Sequence, residues 1–334
     1  MAGMRLLVLG GTQFVGRAVV AAAVARGDKV TAVTRGLRGA PAEPAEAIRA
    51  DRTIAGALAA ALGNRSWDAV IDTWSGAPRA VAESARLLAG RAGHYGYVSS
   101  RSVYRWPVPA GLDETAPVVA ADPESDASTD YAAAKRGGEI AACAAFGDRA
   151  LLARAGLILG PHENVGRLPW WLRRIERGGR VLAPGPPARP LQLIDARDLA
   201  AWLLDCAGQG RSGAFNVVSA PGHATMASLL TAAKQVTGSA AQLVWVSPEA
   251  IRAAGIQEWT ELPIWLSPTG DDAGMHAGDV SRALAAGLRC RPVEETVADT
   301  WRWLQAEGDP APPPGRPAPG LDPAKEEQLL ATLA

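Results

Sequence analysis

Short apolar runs alternate with longer segments whose apolar positions recur every third or fourth residue, and the first half of the chain keeps to this rhythm. The runs predict strands and the longer segments predict helices. Arg5–Leu9 reads as a strand, Val15–Arg26 as a helix closed by Gly27, and Lys29–Thr34 as a second strand. An alanine-rich helix is expected over Ile54–Leu62, then a strand at Trp67–Asp72, a helix at Arg79–Ala89 and a strand at Tyr95–Ser99. A helix starting at Tyr131 and a strand over Ala150–Leu159 continue the series. Repeated β-α units with strands apolar on both faces imply an α/β fold with a doubly wound parallel sheet covered on both sides.

After Gly160-Pro161 the texture changes. Trp170 and Trp171, a Pro-Gly-Pro-Pro loop at 184–187 and a second set of short helices and strands suggest a smaller lobe. The expected division is a nucleotide-binding domain over 1–160 and a substrate-binding α/β lobe over 161–306, interleaved with the last sheet strands. Residues 307–334 are expected to form a proline-rich linker and a short charged helix near Pro323–Leu333.

Composition narrows the function without naming it. The chain has 334 residues and is 48% hydrophobic, enough for a full core. Lysine plus arginine equals aspartate plus glutamate at 34 each, so no global field favours nucleic acid or an anionic membrane. The apolar stretches are too short or too interrupted by charge for a signal peptide or membrane span, so a cytoplasmic location is expected. Cys143, Cys206 and Cys290 have no metal-type spacing; the expectation is three reduced core thiols and no metal.

Two patterns carry chemistry. The strand Leu6–Leu9 breaks into Gly10-Gly11-Thr12-Gln13-Phe14-Val15-Gly16 and resumes as a helix, an arrangement that turns backbone N–H groups and a helix N-terminus toward a pyrophosphate. Further on stands Tyr131-Ala-Ala-Ala-Lys135. Its tyrosine and lysine share one helix face, where an ammonium can favour the phenolate. Ser99 and Ser100 lie on a strand between the two patterns, and the set points to a nicotinamide-dependent enzyme.

These motifs resemble the extended short-chain dehydrogenase/reductases, the group that includes NAD-dependent epimerases and dehydratases, over roughly residues 4–305. That family's loop commonly reads Gly-Gly-x-Gly-Phe-Ile-Gly, so Gln13 replaces its middle glycine, as in an atypical branch that also contains chloroplast stem-loop-binding proteins. Val98-Ser-Ser-Arg-Ser-Val-Tyr104 is similar to the catalytic serine strand, with Ser100 in the catalytic place. Gly160-Pro161, Leu193–Ala200, Phe215-Asn216 and Asp279-Val-Ser-Arg-Ala match further landmarks in order. The resemblance implies a Rossmann-type sheet with a smaller C-terminal substrate lobe. It implies that Tyr131 is the acid, that Lys135 lowers its pKa and holds the nicotinamide ribose, and that Ser100 donates to the substrate oxygen. Gly10, Thr12, Gln13, Phe14, Val15, Gly16, Thr73, Leu157 and Lys135 are then expected at the cofactor. Asp51 matches an aspartate near the adenine, and equally reads as a helix cap.

At the end of the second strand an NAD-selective site usually carries a carboxylate. Here the chain reads Thr34-Arg35-Gly-Leu-Arg38, so Arg35 and Arg38 are either a clamp for a 2′-phosphate or solvated loop cations. The expected cofactor is NADP, with NAD as the alternative. Family dehydratases carry Asp-Glu after the catalytic serine or threonine, and Arg101-Ser102 stands there instead. Leu191 occupies the place of an arginine used on nucleotide diphosphates, with Arg189 two residues away. On the substrate side the second lobe offers the indoles Trp170, Trp171, Trp259 and Trp265, with His162 and Glu261 among them, and a pocket suited to a flat or ring-bearing molecule is expected at Tyr104, His162, Trp170, Glu261 and Trp265, although most such tryptophans serve a core. The expected activity is carbonyl reduction of a small organic molecule by a monomer or homodimer. Two alternatives are an epimerase holding NAD tightly and a nucleic-acid-binding homologue without redox turnover; charge balance and the Ser100, Tyr131, Lys135 set weigh against the second.

Overall fold

Short apolar runs rich in leucine, valine and alanine build the strands that pattern predicts. The computed structural model describes residues 3–37, 39–311 and 318–333. Its strands are β1 (Arg5–Leu9), β2 (Lys29–Thr34), β3 (Glu46–Arg49), β4 (Trp67–Asp72), β5 (Ala92–Ser100), β6 (Ala150–Ala155), β7 (Leu157–Leu159), β8 (Arg180–Pro184), β9 (Pro190–Leu191), β10 (Leu193–Asp195), β11 (Gly213–Val217), β12 (Ala224–Thr225) and β13 (Gln242–Val246). The helices are α1 (Phe14–Ala25), α2 (Ala57–Leu62), α3 (Arg79–Leu88), α4 (Tyr131–Phe146), α5 (Arg167–Glu176), α6 (Ala196–Gly208), α7 (Met226–Thr237), α8 (Pro248–Ala253), α9 (Ser281–Ala285), α10 (Val293–Glu307) and α11 (Pro323–Ala331). No helix among the described residues is long and apolar enough to cross a membrane.

Seven parallel strands form one sheet in the order β11-β6-β5-β4-β1-β2-β3. The order reverses at β1, which pairs with β4 on one side and β2 on the other, and such a switch point opens a crevice at the carboxyl ends of the strands. On one face, Val19, Val20, Trp202 and Leu203 from α1 and α6 bury the sheet. On the other, Val81, Leu88, Ala142 and Phe146 from α3 and α4 pack on Tyr95 and Tyr97. A separate core around Trp171, Leu229, Leu230, Trp265 and Trp301 holds the second lobe. The protein is thus a Rossmann-type doubly wound α/β sheet with a smaller C-terminal lobe.

Two elements differ from the sequence expectation. The run at 150–159 is two strands: β6 pairs with β5, whereas β7 leaves the main sheet and pairs with β10. The break falls at Gly156, where a Cβ would stand 2.7 Å from Val218 Cγ2, so the chain can pass there only without a side chain. The edge strand β3 was not expected, because its charged, largely exposed sequence lacks an apolar run. The terminal helix expected near Pro323–Leu333 is α11, and it docks on the second lobe through the buried Glu326, bonded to Arg174 and to the Leu182 N–H.

Candidate active site

A cleft of about 870 Å3 runs along the carboxyl ends of β1, β2, β4, β5 and β6. At one end lies the glycine loop. Gly10 has a φ of 102°, and a Cβ on it would stand 2.4 Å from the Thr73 hydroxyl, which itself donates to the Leu9 carbonyl at 3.0 Å. A Cβ on Gly16 would stand 1.8 Å from the Gly10 carbonyl oxygen, so α1 can lie against the end of β1 only with glycine there. Gln13 is the N-cap of α1 in extended backbone, φ −123° and ψ 142°, a conformation open to any residue. The glycine missing from the loop is therefore not needed for backbone conformation at this position. No side chain caps α1 and its first turn holds no acid, which leaves that helix end able to attract an anion. Gly10, Thr12, Gln13, Phe14, Val15, Gly16, Thr73 and Leu157 all line the cleft.

Arg35, exposed at the end of β2, lines the same cleft; Arg38 lies outside the described residues. Asp51 does not line it. Its Oδ1 accepts from the Thr53 N–H at 2.9 Å and the Thr53 hydroxyl at 2.7 Å, closing a turn after β3. Those bonds, with a smaller contribution from Arg35, hold its carboxyl below the usual aspartate range. The neighbouring Arg52 faces the cleft instead, its guanidinium paired bidentately with buried Asp72 at 2.7 Å on both arms.

Ser100, Tyr131 and Lys135 converge on the wall of the cleft formed by β5 and α4. Asp130 caps α4 by accepting from the Ala133 N–H, which places Tyr131 at the first helical position, 39% exposed. One turn on, Lys135 is buried, and its Nζ donates to the carbonyls of Trp74 at 2.5 Å and Val98 at 2.7 Å. An ammonium carries three donors, and two carbonyls account for two. Burial depresses the Lys135 pKa to about 8, against the opposing pull of Asp72 and Glu139. Ser100 ends β5 and starts the following turn: its Oγ accepts from the Ser102 N–H and donates to the Ser102 hydroxyl, both at 3.1 Å. Beneath, Ser99 and Arg154 bind the fully buried Glu139 of α4, each at 2.8 Å, and Arg154 reaches the Tyr104 hydroxyl at 3.1 Å.

Of the residues expected at the substrate, only Tyr104 lines the cleft, and its hydroxyl is turned inward to Asn216 at 2.7 Å. Trp265 is fully buried in the second lobe's core, with its indole N–H on the Gly185 carbonyl. Trp170 packs edge-on against Trp171 and touches Gly320. Glu261 pairs with Lys325 at 2.9 Å, and the His162 ring packs at a tilt against Trp303 beside Glu307. Residues 318–333 fold back onto the lobe, where Gly320 meets Trp170 and Lys325 pairs with Glu261. The indoles that do line the cleft are Trp74, Trp106 and Trp259, with Arg101, Arg167 and Met275. Trp74 stands two residues beyond β4 at the carboxyl edge, so its sequence position could have revealed it. Trp259, held at a φ of 65° beneath Arg167, is the one of the second lobe's four candidate indoles that does line the cleft.

The family model described as NAD dependent epimerase/dehydratase family matches residues 6–217, from β1 to the end of β11. The chain belongs to this family. Among solved structures, an epimerase candidate from Burkholderia cenocepacia is similar at 22% identity, covering 91% of this chain and 99% of that one with a TM-score of 0.69. The Bordetella bronchiseptica enzyme WbmG, in complex with NAD and UDP, aligns at 16% identity over 92% and 96% of the two chains, with a TM-score of 0.67. UDP-glucose 4-epimerase from Thermotoga maritima, with UDP-glucose, aligns at 17% over 91% and 99%, with a TM-score of 0.65. No curated protein sequence matches the chain. Directly after the serine of this family member stands Arg101, buried and reaching across to Gln192 and the Met275 carbonyl.

Proposed function

We propose that this protein catalyses nicotinamide-dependent hydride transfer at a carbinol or carbonyl carbon of a small organic molecule, with Tyr131 exchanging the proton. One observation carries the reading: Lys135 is fixed by the Trp74 and Val98 carbonyls on the wall it shares with Ser100 and Tyr131, while the uncapped start of α1 opens onto the same cleft. The contacts at Gly10 and Gly16 suit a close pyrophosphate, since both glycines keep the loop tight against β1. NAD or NADP, when bound there, supplies or accepts the hydride. Tyr131 gives or takes the hydroxyl proton of the substrate, Lys135 lowers the energy of the phenolate and offers its third N–H, and Ser100 turns its hydroxyl from Ser102 to the substrate oxygen.

Epimerisation is the leading form of this chemistry: oxidation at one carbon followed by re-reduction on the opposite face. The family and its solved members with NAD, UDP or UDP-glucose support it. Arg35 favours a second form, NADP-dependent carbonyl reduction, because the end of β2 offers a cation and no carboxylate to the adenosine ribose. Mass spectrometry of the nucleotide that copurifies decides between them. Retained NAD that stays bound through dialysis supports the epimerase, and exchangeable NADP supports the reductase. A protein that binds neither overturns the hydride-transfer reading.

A further inference from the structure

Buried guanidinium groups in this fold have carboxylate partners: Arg52 has Asp72, Arg154 has Glu139 and Arg174 has Glu326. Arg101 does not. It follows Ser100 directly, lines the cleft and is only 7% exposed, yet its Nη1 donates to two neutral acceptors, Gln192 Oε1 at 3.1 Å and the Met275 carbonyl at 2.9 Å. Among the described residues no carboxylate pairs with it, and its buried Nε has no hydrogen-bond partner. An unpaired charge and an unmade donor under cover are costly, so a fold retains them where something else completes them.

The surroundings hold this guanidinium in place rather than neutralise it. It packs against Gly278, where a Cβ would stand 2.2 Å from Nη2. Gln192 keeps its oxygen toward Arg101 because its amide donates to the Ser219 and Gly278 carbonyls, both at 2.9 Å, while its Oε1 also accepts from the Gly278 N–H. Behind lie further basic groups. Arg189 donates to the Ser267 and Ala273 carbonyls and also has a buried Nε without a partner. Glu258 faces Arg189 but accepts from the Ser267 N–H at 2.7 Å. His276 accepts from the Gln192 N–H on Nδ1 and is held neutral by burial first and by Arg189 next. Burial also pushes the Arg101 pKa down, as a missing counter-charge requires.

We propose that Arg101 anchors an oxyanion of the substrate, a carboxylate or a phosphate carried beside the reacting carbon. The proposal rests on the hydride-transfer reading of the same cleft and assigns its substrate a charge. A bound oxyanion would supply the missing counter-charge from the cleft side of the guanidinium, in a site where charge-assisted bonds are strong.

Titration calorimetry with matched probes tests it: phenylglyoxylate and phenyl phosphate as the anions, phenylglyoxylamide as the neutral counterpart. Wild-type protein is expected to bind one anion at least about tenfold more tightly than the amide, a ratio in the range of one charge-assisted hydrogen bond. Preference for phenylglyoxylate assigns a carboxylate, and preference for phenyl phosphate assigns a phosphate. Arg101→Gln should bring anion and amide to about equal affinity with the amide unchanged, and Arg101→Lys should retain part of the preference. Unchanged amide affinity serves as the control for folding. Wild-type protein that binds neither anion more tightly than the amide, or a folded Arg101→Gln that keeps the wild-type ratio, overturns the proposal. Nicotinamide binding is measured in the same samples, so failure of the hydride-transfer reading is seen separately from loss of charge discrimination.

Discussion

The Ser99 hydroxyl of β5 donates to Glu139 Oε1 of α4 at 2.8 Å, tying the strand that ends in Ser100 to the helix that begins with Tyr131. Arg154 of β6 and Arg136 bind the same carboxylate. Removing it should leave the buried Arg154 without its counter-charge. Glu139→Ala is expected to lose about 3–5 kcal/mol of stability, the cost of breaking a buried ion pair from one side. Urea unfolding measures this, and a loss below about 1 kcal/mol, typical of an exposed pair, would show that the network is not holding the two elements together.

Tyr131→Phe removes the proposed proton donor without altering the walls of the cleft. Turnover should fall by about 100-fold or more with nucleotide affinity nearly intact. Single-turnover kinetics with a substrate in hand checks it, and wild-type turnover in the variant excludes Tyr131 from the chemistry.

Lys135 carries its charge below a pKa of about 8, because burial favours the neutral amine. The ammonium that supports the phenolate is therefore lost as pH rises through 8, and turnover should decline on that limb. Lys135→Arg keeps a cation at every accessible pH, so its profile should lack the decline even if its maximum is lower. A wild-type profile that stays flat through this range argues against a charged Lys135 in the rate-determining state.

Replacing Arg35 with Ala separates the two cofactors. Affinity for NADPH should drop by about 1.5–3 kcal/mol, with NADH little changed, if the guanidinium meets a 2′-phosphate. Equal losses for both, read by calorimetry, would leave Arg35 a solvated cation.

His276 is buried, and burial followed by Arg189 lowers its pKa to about 4. A base with a lowered folded pKa stabilises the fold fully above its unfolded value and loses that stability as pH falls toward the folded one. Between pH 6.5 and 4 the cost should approach about 3 kcal/mol, since one pKa unit is worth about 1.4. His276→Gln should flatten this part of the stability profile in chemical unfolding. An unchanged slope would place the acid sensitivity elsewhere.

How much of the molecule is legible in sequence depends on the range of the interactions. The inner sheet strands and the Ser100, Tyr131 and Lys135 set are legible in local patterns, and β1, β2 and β4 run over the expected residues. The substrate side is fixed by contacts between distant segments. Trp265 and Glu261 read as pocket residues in sequence, but the indole N–H of the first is spent on Gly185 and the carboxylate of the second on Lys325. A tryptophan's spacing says nothing about which of two lobes will enclose it, and β3 gives no signal because an exposed edge strand needs no apolar run.

The return of α11 onto α5 and β8 bears on how the chain acquires its structure as it is made. The main sheet cannot receive its edge strand until residues 213–217 have been synthesised, and the second lobe cannot cover Trp170 or satisfy Arg174 until Gly320 and Glu326 follow. Folding from the amino end is therefore held open twice. Any shortened translation product ending before α11 would leave the buried Arg174 guanidinium and the Leu182 N–H without the Glu326 carboxylate that both bond, a defect open to the quality control that acts on incompletely packed chains.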